Sequence, residues 1–318
     1  MAQQIKNISA TPQINPLAAF FRKHKLSLHL PSKGKWYPTG SLTLDESGGL
    51  PIFAMTAEDD IKFKTGDVAL SGRSTYDLIR SCAPGITQPE LIPTIDVDAI
   101  LLAIRFASYG DDFDIEISVP KTTLTRKVNV SLLSLLDQLP QRTATWDEEI
   151  TIEDETGQSL NLVLNPVQLK YLFSTSKNIQ NQKRILTKNF DSEENVKDEA
   201  AFSNSITNLT DTAIDLICSC INSVKIIDAQ SKILLEINNS SPQDKAQISQ
   251  LIKNMDVEYF NAIKNHLEEQ RKKYAFEIPI QNSTANELRA GAPKEWTSEL
   301  TFQGSNFFPE QQKGTVLK

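Results

Sequence analysis

Polar and apolar residues alternate strictly over residues 112–120. The alternation places Phe113, Ile115, Ile117 and Val119 on one face, which predicts a strand with one buried side. Two further alternating runs, residues 149–154 and 159–164, flank a turn with a glycine, Gly157, and this arrangement predicts a β-hairpin. Shorter or weaker runs predict strands at residues 25–30, 41–44, 50–55, 126–130 and 232–237, and the C-terminal hairpin is treated below.

Apolar residues spaced three or four apart predict the helices. Thr56 is predicted to cap one of them, and the carboxylates of Glu58, Asp59 and Asp60 suit its first turn. Asp96 is predicted to cap another helix, which Gly110 ends. The predicted helices cover residues 56–66, 74–83, 96–110, 131–137, 167–190, 202–227, 241–255 and 257–272.

The character of the chain changes after Asn165-Pro166, where strand patterns nearly vanish and helical patterns take over. A last pair of alternating runs, 274–280 and 294–302, predicts a hairpin around a polar loop. We therefore predict an α+β fold with an N-terminal mixed β-rich domain, a mainly helical region and a C-terminal β-hairpin. The predicted units are an extended arm at 1–24, an α+β domain at 25–165, a helical region at 166–273, and a hairpin and tail at 274–318.

Composition narrows the class of protein. The 318 residues carry a net charge of −7, which argues against general nucleic-acid binding because such proteins usually present a basic face. Three cysteines in a chain of this length are no disulfide framework, and no apolar run is long enough to span a membrane. The N-terminus lacks the apolar core of a signal peptide. We therefore expect a soluble protein of a reducing cytoplasm.

No catalytic chemistry is visible in the sequence. It contains no glycine-rich phosphate loop, no His-Glu-x-x-His, no Cys-x-x-Cys and only three histidines. Cys218 and Cys220 would point to different sides of a helix, a poor start for a metal site. We expect no enzyme, metal, cofactor or small-molecule substrate, and the residues alone indicate an interaction or structural protein.

Apolar and aromatic residues in polar or turn-rich surroundings are the candidates for partner binding. Those near the two ends either pack on the body of the protein or are offered to a partner, and the sequence leaves both alternatives open. The candidates are Leu17, Phe20 and Phe21 near the N-terminus, Trp36 and Tyr37 in the loop at residues 30–38, and Phe307 and Phe308 near the C-terminus.

Short motifs between residues 30 and 120 resemble the T-even-type phage baseplate family. They are Leu-Pro-Ser-Lys-Gly-x-x-Tyr-Pro at 30–38, Met-Thr-Ala-Glu-Asp-Asp at 55–60, a helix ending near Cys82, and Ile-Arg-x-x-Ser-Tyr-Gly at 104–110. A weaker similarity runs from 217 to 308. Relatives place a Cys-x-x-Cys knuckle in the last hairpin. This chain has none between Asn282 and Pro293, so the resemblance implies no metal role here.

The resemblance implies a non-enzymatic myovirus tail protein of the baseplate central hub or of its assembly pathway. Its partners would be other tail and baseplate hub proteins. Such a protein would occupy the host cytoplasm during assembly and, as a structural subunit, the tail baseplate of the virion. The alternative is a tail assembly chaperone that binds the tape-measure protein and is absent from the mature virion. Both roles stay open at this point.

Overall fold

A computed structural model of the chain describes residues 21–65, 72–141, 145–191 and 199–300. Its fold is α+β, as predicted. The first half begins with an antiparallel pair, β1 (His24–Leu28) and β2 (Leu50–Phe53), and continues with helices. These are α1 (Ala57–Thr65), α2 (Arg73–Cys82) and α3 (Thr94–Tyr109).

The capping prediction at the start of α1 is confirmed. The Asp59 amide donates to Oγ1 of Thr56 over 3.1 Å, and the Thr56 amide donates to Oδ2 of Asp59 over 2.9 Å. This reciprocal pair satisfies amides at the helix start that have no partner within the helix. At the far end of α3, Gly110 ends the helix with a φ of 88°, a conformation that favours glycine.

The strongest alternating run forms a strand, as predicted. β3 (Asp112–Ser118) pairs in an antiparallel register with β4 (Thr125–Ser131), and its buried and exposed residues alternate. A short helix, α4 (Leu132–Leu136), follows β4 directly, and the Ser131 hydroxyl caps it by accepting from the Ser134 amide.

The strand predicted at 41–44 is wrong. Leu42 makes only an isolated bridge to Ile86, in a segment that pairs with the turn after α2. The Thr43 amide donates to the Gly85 carbonyl over 2.8 Å, and the chain then enters a turn closed by Asp45. The turn begins too soon after the bridge for a ladder to form.

A four-stranded antiparallel sheet, in which strands that follow one another along the chain are neighbours, organises the second half. The helix predicted at 202–227 is too long, because it ends at Cys220 and the chain continues as a strand. Val224 and Ile227, which fall within the predicted helix, lie in that strand. In chain order the elements are β5 (Glu149–Glu153), β6 (Ser159–Leu164), α5 (Leu169–Asp191), α6 (Glu199–Cys220), β7 (Ile221–Ile227) and β8 (Ile233–Asn238).

Two helices, α7 (Pro242–Asn254) and α8 (Val257–Lys272), contribute to the second hydrophobic cluster with this sheet. The cluster contains Leu162 and Leu164 of β6 as well as Val224 of β7, so it joins residues from both sides of Asn165-Pro166. The predicted division at that dipeptide stays a prediction.

The C-terminal hairpin consists of two short pairs of antiparallel strands. Its strands are β9 (Phe276–Glu277) paired with β12 (Glu299–Leu300), and β10 (Gln281–Asn282) paired with β11 (Glu295–Trp296). The buried apolar residues of this hairpin belong to another hydrophobic cluster, the first cluster, which also contains residues of β1, β2, α2, α3 and β3. The last described segment of the chain therefore packs in the core of the first half.

The polar loop of this hairpin contains a helix that the sequence reading missed, α9 (Ala285–Arg289). Thr284 and Glu287 cap its start reciprocally. No helix among the described residues is long and apolar enough to cross a membrane.

Candidate interaction site

The loop at residues 30–38 is held in an unusual backbone conformation. Lys33 and Trp36 have φ values of 55° and 66°, and Gly34 lies between them with a φ of 79°. A left-handed conformation costs a residue with a side chain about 1–2 kcal/mol, so surrounding contacts must hold this loop in place.

Asp96 provides those contacts, and its predicted role as a helix cap is wrong. Helix α3 begins at Thr94, two residues before Asp96, and no described side chain caps its start; the Thr94 amide donates to the Val167 carbonyl over 2.8 Å. The Asp96 side chain lies in the first turn, fully buried. Oδ1 accepts from the Ser32 amide over 2.7 Å, and Oδ2 accepts from the Ser32 hydroxyl and, over 3.0 Å, from the Tyr37 hydroxyl.

Burial dominates the electrostatics of this contact. It raises the pKa of Asp96 to about 6, although the hydrogen bonds from Ser32 and Tyr37 act in the opposite direction. Burial, together with the Asp96 charge, also raises the pKa of Tyr37 well above its usual range. The Tyr37 hydroxyl therefore stays protonated at neutral pH and remains a donor to the carboxylate.

A series of aromatic contacts connects the same loop to the second half of the protein. The Trp36 ring meets Trp146 edge-on with centroids 6.0 Å apart, and Trp146 lies 6.3 Å from Tyr274. Lys35 forms an ion pair with Glu148 beside them. Because Trp146 also donates from Nε1 to the Leu164 carbonyl over 2.8 Å, these contacts connect the loop to β6 and its cluster.

Trp36 is half-buried and lies on the wall of an open cleft of about 540 Å³ among α5, α6 and α7. The lining is rich in hydroxyl and amide groups. Cys218 lies there too, and burial raises the pKa of its thiol to about 11, so it holds no thiolate at neutral pH. The other polar lining residues include Asn178, Thr212, Asp215, Asn239 and Lys245.

A separate exposed surface lies at the edge of the four-stranded sheet. Among the residues that the structure describes, β8 pairs only with β7, and Ile233, Leu234 and Leu235 are 51%, 53% and 45% exposed. The register shifts at this point, so Leu234 has no residue opposite it on β7. The sequence predicted the strand but not this surface, because alternation does not reveal which strand ends a sheet.

Among the described residues, the structure brings two of the predicted partner-binding residues together. Trp36 and Tyr37 are neighbours in the 30–38 loop, with Tyr37 directed to Asp96 and Trp36 to the cleft. Phe21 is 61% exposed, beside an Arg22 side chain that bonds to Asp59 and Ser81. The remaining candidates, Leu17, Phe20, Phe307 and Phe308, lie outside the described residues. The role of all seven in partner binding stays a prediction.

Within the described ranges, no three His, Cys, Asp or Glu side chains are grouped so that they could hold a metal ion. The distinctive features of the described residues are an internally bonded loop, a polar cleft and an exposed sheet edge.

The chain matches a known protein family over most of its length. Residues 22–290 match the family described as T4 bacteriophage base plate protein, which confirms the resemblance in the 30–120 motifs. The match covers most of the chain, and the chain belongs to this family. It is thus a phage baseplate protein, associated with the tail of the virion. Neither the curated proteins nor the solved structures contain a match.

Proposed function

We propose that this chain is a structural subunit of the baseplate central hub, without enzymatic activity, that binds other tail and baseplate hub proteins and remains in the virion. The observation that carries the proposal is the exposed apolar edge of β8. Membership of the baseplate family supplies the setting, because a subunit of a large assembly must present surfaces that other subunits cover.

The β8 edge suits such a contact. Three consecutive apolar residues, Ile233 to Leu235, are about half exposed in a strand that has a neighbour on one side only within the described ranges. Soluble proteins usually blunt sheet edges with charges, prolines or covering loops, since an open edge pairs readily with another chain. Here the charged residues Lys232 and Glu236 lie at the two ends of the apolar segment, and no charge or proline lies within it. The register of the pairing between β7 and β8 shifts at this segment. We infer that a neighbouring baseplate protein covers this edge.

A charge at the centre of the edge tests the contact. Leu234→Glu is expected to leave the melting temperature nearly unchanged, because the side chain is 53% exposed, but to prevent incorporation into baseplates. The matched control is Thr151→Glu in β5, the strand at the opposite edge of the same sheet, where Thr151 is exposed. Normal incorporation of Leu234→Glu, or equal loss in both variants, would count against the proposed interface.

The second candidate function is a tail assembly chaperone that binds the tape-measure protein and leaves before the virion is complete. The cleft among α5, α6 and α7 favours it, because a chaperone needs a groove for its client. Ser174→Arg would fill part of this cleft from α5. If the chaperone role is right, co-expressed tape-measure protein copurifies with the wild-type chain and not with this variant, while Leu234→Glu retains it.

A further inference from the structure

The contact between the 30–38 loop and Asp96 has the features of a latch. Every hydrogen bond that the Asp96 carboxylate accepts, within the described part of the chain, comes from this loop. The donors are two residues, Ser32 and Tyr37, near its two ends. Holding both ends at one buried point restrains the loop as a unit.

Opposing forces act on the closed loop. Lys33 and Trp36 are held in left-handed backbone conformations that residues with side chains avoid, and opening would relax them. A carboxylate with no described cationic partner is also buried at Asp96, and opening would return it to water. Against these stand the hydrogen bonds to Asp96 and the packing of Trp36 on Trp146. Opposing contributions of this kind allow a closed and an open state of the loop to lie close in free energy.

We propose that residues 30–38 form a strap with a closed state, held by Asp96, and an open state in which Trp36 leaves the wall of the cleft. Opening separates Trp36 from Trp146 and Lys35 from Glu148, so it loosens the connection between the first cluster and the β6 side of the second. The strap thereby sets the shape of the cleft. This inference stands whether the chain remains in the virion or acts as a chaperone.

Native-state hydrogen exchange of the full chain tests the strap. The reporters are the amides of Lys33 and Lys35, which bond to the carbonyls of Leu30 and Ser32 inside the loop. In the wild type, these amides should exchange through a local opening that depends little on added denaturant. The amides of Ile100 and Leu102, in the middle of α3, should exchange only through larger, denaturant-dependent unfolding.

Two variants weaken the latch and keep the backbone carbonyls to which the reporter amides bond, although Ser32→Ala also removes the hydroxyl that accepts from the Gly34 amide. Ser32→Ala and Tyr37→Phe each remove a hydroxyl donor to Asp96, and each should speed exchange of the two loop amides by about tenfold, the effect of one buried hydrogen bond. Ser223→Ala is the matched control, because Ser223 in β7 is buried to the same 6% exposure as Ser32. It should leave the loop amides unchanged.

Two outcomes would overturn the proposal. One is that the wild-type loop amides show the same denaturant dependence as the α3 amides, since the loop would then open only when α3 unfolds. The other is that neither latch variant accelerates the loop amides beyond the Ser223→Ala control. The wild-type measurement decides the question even if a latch variant fails to fold.

Discussion

The hydroxyl of Tyr37 donates a hydrogen bond to Oδ2 of Asp96 over 3.0 Å, and this bond joins two segments that are 59 positions apart in the chain. It explains why the Leu-Pro-Ser-Lys-Gly-x-x-Tyr-Pro loop and the start of α3 depend on each other. The loop needs an acceptor for Ser32 and Tyr37, and the buried carboxylate needs donors.

Replacement of Asp96 by an apolar residue should be strongly destabilising. Asp96→Leu leaves the Ser32 amide and the Tyr37 hydroxyl without their buried acceptor, and we expect the free energy of unfolding to fall by about 2–4 kcal/mol. Asp96→Asn is the control, since its amide oxygen can still accept from Ser32. Urea denaturation at pH 7 measures both, and equal losses in the two variants would contradict this role for the hydrogen bonds.

Stability should depend on pH through the same carboxyl. Burial raises the pKa of Asp96 from 3.8 to about 6, so the folded chain binds more protons than the unfolded chain between these values. The stabilisation from this group is therefore complete below about pH 4 and is lost as the pH rises through about 6. Relative to Asp96→Asn, the wild type should lose up to about 3 kcal/mol across that window.

The pH measurement must compare the two proteins. Asp59, Asp154 and Asp244 have pKa values that hydrogen bonds lower below the usual range, and these groups favour the folded state at higher pH. They are common to both proteins, so the difference between the wild type and Asp96→Asn isolates Asp96. A difference that stays constant from pH 4 to pH 7 would show that the carboxyl does not titrate in this way.

A substitution at Leu162 tests whether β6 belongs with the second half of the chain or with the first, on either side of the predicted division at 165/166. Its side chain has no exposure and packs in the second cluster, opposite Val224 on β7. Leu162→Ala should cost about 2–5 kcal/mol and should raise hydrogen exchange in α7 and α8 before it does so in α3. Faster exchange in α3 alone would place β6 with the first half of the chain.

The C-terminal segment offers a test of partner binding. We expect a chain truncated after residue 302 to melt at nearly the same temperature as the full chain but to fail in tail assembly, because Phe307 and Phe308 would serve a partner. A buried phenylalanine contributes about 1.5–3 kcal/mol, so loss of two from the protein's own core would be plain in calorimetry. A large drop in melting temperature would mean that the segment packs on the body.

Elements with local signals could be predicted from the sequence. Alternation identified β3, and the β5–β6 hairpin followed from Gly157 between two alternating runs. β7 was missed, because Val224 and Ile227 fit a helical spacing as well as a strand, and only pairing with β6 and β8 decides between them. A β-branched run after a helix is nevertheless a signal that favours a strand.

The candidate site depended on contacts that no local pattern contains. Asp96 precedes a helical run, where a cap is the ordinary explanation, and its true partners lie 64 and 59 positions earlier. Trp36 and Trp146, whose rings are in contact, lie still farther apart along the chain. The family resemblance identified the loop as important, but the physical reason required the structure.

We propose that this chain is a lasting subunit of the baseplate. Quantitative mass spectrometry of purified virions, with assembly intermediates from the same infection for comparison, tests it most directly. The proposed structural role predicts that the chain is present in mature particles at a fixed ratio to other baseplate proteins. Its presence in the intermediates together with its absence from mature particles would contradict that role and favour the chaperone.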